Sequence, residues 1–207
     1  MKITDKELKD VMKKICRPPA FLDYFIIDPS KVKFTPLARL KCQNCGLYNR
    51  VPRCAPNVPS LEESEKKIHS MNKGLILVYQ NDGSKPWKKG VKRDGPLQGK
   101  KLKGTAAGMA RLLNQNIYDI VMNLCYNNES LIKDKNIIGL ISGHCQLCGK
   151  CPMKDKYDSP GVMKKCKKGF SALEAIGIDC FNLMDLIDVK HEKVPWNFVT
   201  LIGGVFV

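Results

Sequence analysis

Apolar positions change their spacing several times along the chain, and each change marks an element. In "DKELKDVMKKIC" (5–16), Leu8, Val11, Met12 and Ile15 recur three and four residues apart. That spacing predicts a short amphipathic helix with one buried face. "IIDPSKVKFTP" reads as extended segments broken by prolines. Ser60 with Glu63 three residues on has the form of a capping box and predicts a helix start. "GLILVYQ" (74–80) is an apolar run of the length of a buried strand. Thr105 caps a long helix through about residue 128. Its stripe of Met109, Leu112, Leu113, Ile117, Ile120, Val121 and Leu124 needs only core packing to explain it. "NIIGLIS" (136–142) is a second strand and "FVTLIGGVFV" (198–207) a third. Ser171 and Glu174 predict a second capping box, opening a short helix that Gly177 stops. The loose alternation of strands and helices predicts an α/β or α+β fold, with helices packed on a small mixed sheet. The length suits a single domain over residues 1–207.

Composition supports a packed core, since 43% of residues are hydrophobic. No stretch approaches the roughly 18 apolar residues of a membrane span. The opening "MKITDKELKDVMKK" is charged and has no apolar signal core, so a cytoplasmic location without membrane association is expected. Lysine and arginine number 35 against 20 acids, a formal charge of +15. A surface of that charge attracts nucleic acid, anionic substrates or acidic proteins, or is simply a solvated basic face. The charge concentrates in "GSKPWKKGVKRDGPLQGKKLKG" (83–104), with eight basic residues, one acid, five glycines and two prolines. This predicts a mobile basic loop, with Trp87 as an anchor or a stacking face.

Ten cysteines change the picture more than the charge does. In a reducing cytoplasm, clustered cysteines bind metal or do redox chemistry more often than they form disulfides. They fall into two groups. One is Cys42, Cys45 and Cys54 in a loop rich in Pro, Asn and Gly. The other is Cys145, Cys148 and Cys151 at even spacing, with Cys166 further on. A structural zinc site closes with four ligands, typically from two Cys-x2-Cys turns. Pairing Cys42 and Cys45 with Cys145 and Cys148 would strand Cys54, Cys151 and Cys166. A [4Fe–4S] cluster gives each of four irons its own thiolate, and a triplet at x2 spacing with one distant cysteine fits it. Cys145, Cys148, Cys151 and Cys166 are therefore the candidate cluster ligands, followed by Pro152.

The first group offers three thiolates and leaves alternatives open. It could hold zinc with a fourth ligand such as His69, a second cluster completed by Cys16, Cys125 or Cys180, or a cluster with one open iron. An open iron can act as a Lewis acid or carry sulfur. Cys125 and Cys180 read first as buried apolar residues. His144 could donate a hydrogen bond to a cluster sulfur. No dinucleotide fingerprint, phosphate loop or nucleophile elbow is present.

Taken together, "CQNCGLYNRVPRCAPNVPS", "GLILVYQ", "GHCQLCGKC", Cys166 and "SALEAIGID" resemble the "predicted metal-binding protein" family, a domain of unknown function found in anaerobic bacteria and methanogenic archaea. The resemblance spans roughly residues 25 to 207. It implies metal binding, of iron–sulfur type, at Cys42, Cys45, Cys54, Cys145, Cys148, Cys151 and Cys166. Two features depart from it: "CAP" (54–56) stands where the family has Cys-Pro-Pro, and the basic loop at 83–104 is unusual.

Three functions follow as expectations. The first is an iron–sulfur protein with one or two [4Fe–4S] clusters that exchanges electrons with an acidic ferredoxin or flavodoxin, steered by the lysines between Lys150 and Lys168. The second is an enzyme whose open-site cluster acts on a substrate such as RNA, by sulfur transfer. The third is a zinc-stabilised nucleic-acid-binding module, against which the odd cysteine and the evenly spaced triplet argue.

Overall fold

The computed structural model describes residues 4–15, 21–82, 106–127, 136–145, 166, 169–189 and 198–207. The basic loop at 83–104 with Trp87, the cap at Thr105, Cys16, Cys148, Cys151 and all of 152–168 except Cys166 lie outside them.

A five-stranded mixed sheet in the order β1-β2-β5-β3-β4 makes the fold α+β. The strands are β1 (Phe21–Ile27), β2 (Gly74–Asp82), β3 (Ile138–Ile141), β4 (Ser171–Ala172) and β5 (Phe198–Phe206). β1, β2, β5 and β3 pair antiparallel in turn, and β4 joins β3 in parallel. The central pair is long: Gly74 faces Phe206 at one end and Asp82 faces Phe198 at the other.

The apolar run in β2 follows from its position. Leu75, Leu77 and Tyr79 point into one core, and Ile76 and Val78 into another. A strand buried on both faces has no polar side to show. The first core is closed by α1 (Asp5–Ile15), through Leu8 and Met12, and by α4 (Ala106–Met122) and the π turn after it (Asn123–Asn127), through Ile117, Val121 and Leu124. The second is closed by α3 (Leu61–His69) through Ile68, and by α5 (Cys180–Leu186) through Leu183 and Met184.

The predicted helices at 5–16 and 60 onwards, the long helix and the strands at 74, 136 and 198 are all present. Ser60 and Glu63 form the full capping box: Glu63 N donates to Ser60 Oγ at 3.1 Å and Ser60 N to Glu63 Oε2 at 2.8 Å. Three expectations need correction. Residues 26–36 are not simply extended, because Pro29–Lys31 form a 3-10 turn capped by Asp28. The stretch around Cys42 is not all loop, because α2 (Pro36–Gln43) starts at the Thr35 cap with Pro36 in its first turn. Ser171 caps nothing: it sits in β4 opposite Leu140, and the 3-10 turn Glu174–Ile176 starts after Leu173 with no side-chain cap. Gly177, at φ +98°, does end that turn, as expected.

Candidate metal centre

The first cysteine group is built on consecutive tight turns. The carbonyls of Cys42, Cys45 and Cys54 each accept the N–H three residues on, from Cys45, Tyr48 and Asn57. Asn49 N donates to Ala55 O at 2.9 Å and ties the loop back on itself, while buried Val51 and Ala55 anchor it. Arg39 fastens α2 to its surroundings, with Nη2 donating to Pro59 O at 2.6 Å and Ile176 O at 3.2 Å. Cys42 is half-buried and Cys45 exposed. Burial first, then the Glu174 carboxylate and the Cys45 thiolate, push the Cys42 thiol up.

The second group is placed by the sheet. Cys145 follows β3 across Gly143, which holds φ +77°. The chain returns through Cys166 and Gly169 into β4, alongside β3. A Cβ added to Gly169 would lie 3.2 Å from Cys145 Sγ, 3.2 Å from Cys166 Sγ and 3.0 Å from Arg53 Cγ. The two sulfurs therefore lie within twice that distance of each other, although 21 positions separate them in sequence. Next to Gly169, the Phe170 ring packs between Tyr118 and Tyr126, at 5.7 and 5.6 Å. The Tyr126 hydroxyl is pushed up by burial first and then by the Cys125 thiolate; Cys145 and Cys166 act the same way and Arg53 opposes them.

Of the seven sequence-predicted ligands, the structure describes Cys42, Cys45, Cys54, Cys145 and Cys166; Cys148 and Cys151 lie outside the described residues. It brings Cys145 to Cys166, and Cys42 near Cys45. Among the described residues, no group of three or more His, Cys, Asp or Glu side chains is gathered to hold an ion. The donor chemistry fits a metal all the same. Two half-buried thiols converge at one backbone position, and thiolates are ligands for zinc and for iron–sulfur clusters. His69 has its Nε2 against the Val32 carbonyl at 2.9 Å and its ring edge-on to Phe34. Cys125 is buried in the first core with its thiol pushed up to about 12 by burial, in keeping with a packing role. Cys180 opens α5, and burial and then Glu174 push its thiol up.

Sequence reasoning missed Arg53, Glu174 and Tyr126 as neighbours of the cysteines. Arg53 precedes Cys54 directly, but nothing in the local pattern connects it with a loop more than 90 residues later.

An α+β chain that gathers thiols where its strands turn has the donor chemistry expected of a metal-binding protein. The chain is a member of the family described as "Predicted metal-binding protein (DUF2284)", whose model matches residues 25–207. No curated protein and no solved structure matches it. Among the described residues, no helix is long and apolar enough to cross a membrane.

Proposed function

We propose that the chain is an iron–sulfur protein that holds a [4Fe–4S] cluster on Cys145, Cys148, Cys151 and Cys166 and exchanges electrons with a protein partner. The observation that carries this reading is the convergence of Cys145 and Cys166 on Gly169. A triplet at x2 spacing with one distant cysteine suits a cluster, and here the distant cysteine returns to the start of the triplet. When bound, a cluster of this kind supplies one-electron chemistry.

What the chain's own residues do there can be stated separately. The Gly169 backbone leaves room between the two sulfurs, the aromatic rings of Phe170 and Tyr126 pack along one side, and the Arg53 stem lies along another. A protein partner is supported by an exposed patch beside the first cysteine group. Leu37 and Phe181 are 66% and 54% exposed, and Lys41 sits 4.7 Å over the Phe181 ring. An apolar centre with a cation at its edge suits a weak, salt-sensitive encounter with an acidic surface.

Anaerobic purification followed by iron, sulfide and zinc analysis, with EPR of the reduced protein, tests the reading. About four irons and four sulfides per chain are expected for one cluster. Zinc without sulfide would overturn it. A cluster signal unchanged in Cys166→Ala would remove Cys166 as the fourth ligand.

A further inference from the structure

Arg53 belongs to the first cysteine loop by sequence and to the second cysteine pair by position. Its Cγ lies 3.0 Å from the point beside Gly169 that is also 3.2 Å from the sulfurs of Cys145 and Cys166. Its side chain is half-buried, and its Nε is a buried donor with no hydrogen-bond partner among the described residues. An unpaired buried donor on a permanent cation costs free energy unless something nearby accepts it. The ion pairs Lys13–Asp10 and Lys73–Asp5 lie elsewhere, and no carboxylate among the described residues pairs with Arg53. The sulfurs of Cys145 and Cys166 are the groups that share this point beside Gly169 with the Arg53 stem.

We infer that Arg53 is a positioning residue for the metal centre, a fixed counter-charge that the Cys54 loop lends to the Cys145–Cys166 thiolates. The inference rests on the proposed metal site and adds to it a role outside the cysteines. A metal core of two positive charges held by four thiolates is a net anion in a partly buried setting, and such an anion is costly without a compensating charge. Arginine suits the role because a guanidinium carries a delocalised charge with several donors, and the Arg53 Nε is a buried donor. The same side chain joins the two cysteine groups physically. A movement of the Cys42–Cys54 loop would shift the charge beside the second pair.

The test uses the full-length, metal-loaded chain and measures the rate of metal release to excess EDTA, with absorbance and metal analysis as readouts. Arg53→Met keeps the apolar stem against Gly169 and removes the charge; Arg53→Lys keeps a charge. Release at least fivefold faster in Arg53→Met, with Arg53→Lys within twofold of wild type, is expected. If the metal is a cluster, the potential of Arg53→Met should also fall by about 59 mV, a tenfold change for one electron. Equal release rates in wild type and Arg53→Met would overturn the role of Arg53 while leaving the metal site intact. Faster release that Arg53→Lys fails to restore, with melting temperatures lowered alike in both variants, would overturn it in favour of packing alone. A wild-type chain that holds neither iron nor zinc would overturn the proposed function, and the role of Arg53 with it.

Discussion

The sulfurs of Cys145 and Cys166 meet against the same face of the backbone, at a residue with no side chain. Gly169 makes that meeting possible. Its replacement by alanine would put a methyl 3.2 Å from both sulfurs and 3.0 Å from the Arg53 stem, tighter than these atoms normally approach. Gly169→Ala should therefore separate the thiols. Metal content per chain should fall at least twofold, while stability of the metal-free protein falls by only about 1 kcal/mol. Metal analysis beside urea unfolding of the apoprotein checks both.

A second glycine tests the core beneath the site. A Cβ on Gly139 in β3 would lie 2.6 Å from Val121 Cγ1 and 2.8 Å from both Cys125 Sγ and Phe170 Cε1. Gly139→Ala should cost about 1–3 kcal/mol by overpacking. Adding Val121→Ala should recover part of that loss, because it removes the closest of the three obstacles. Denaturant midpoints of the single and double variants decide it.

The cap on α3 should be visible in the acid limb of stability. Glu63 accepts from the Ser60 backbone and side chain, and those bonds, the backbone one first, hold its carboxyl below the ordinary value of 4.5. A depressed folded value means that the contribution is present above the unfolded pKa and is lost as pH falls through the folded one. Ser60→Ala should cost about 1 kcal/mol at neutral pH. The gap between the two proteins should narrow as the solution is acidified below the normal glutamate range, in urea melts run at several pH values.

Cys125 should behave differently from the thiols of the two cysteine groups. It is buried, and burial pushes its thiol up to about 12. The thiolate is the reactive form, so Cys125 should resist iodoacetamide at pH 8 in the folded apoprotein while exposed Cys45 is alkylated. The raised folded value also sets a direction: this thiol favours folding below its unfolded value of about 8.5, and the advantage is lost as pH climbs towards 12. Mass spectrometry of labelled peptides reads the first outcome, and the alkaline limb of a pH–stability curve in Cys125→Ala the second.

Two identical motifs show where sequence is legible and where it is not. Ser60-x-x-Glu63 and Ser171-x-x-Glu174 have the same form, and only the first caps a helix. Ser60 begins a segment whose backbone partners are all local. Ser171 has a long-range partner in Leu140, and sheet pairing overrides the local signal. β1 was hidden for a related reason. "FLDYFII" acquires its meaning from β2, with Phe25 opposite Ile76 and Ile27 opposite Gly74. The pairing of Cys145 with Cys166 was open to reading because the two stand in one cysteine group of the sequence. Arg53 was not, because only the folded sheet brings residue 53 to residues 145 and 166.

The position of β5 in the sheet has a consequence in time. It is the last strand in sequence, yet it lies between β2 and β3, with Gly74 against Phe206 and Ile138 against the same residue. During synthesis, β2 and β3 must each wait for it before they are bridged. Roughly 150 residues separate Cys54 from the end of β5, or about 8–30 s of translation at 5–20 residues per second. Closure of the central sheet is thus a late event in the making of the chain, because β2 and β3 have no shared partner until β5 is made.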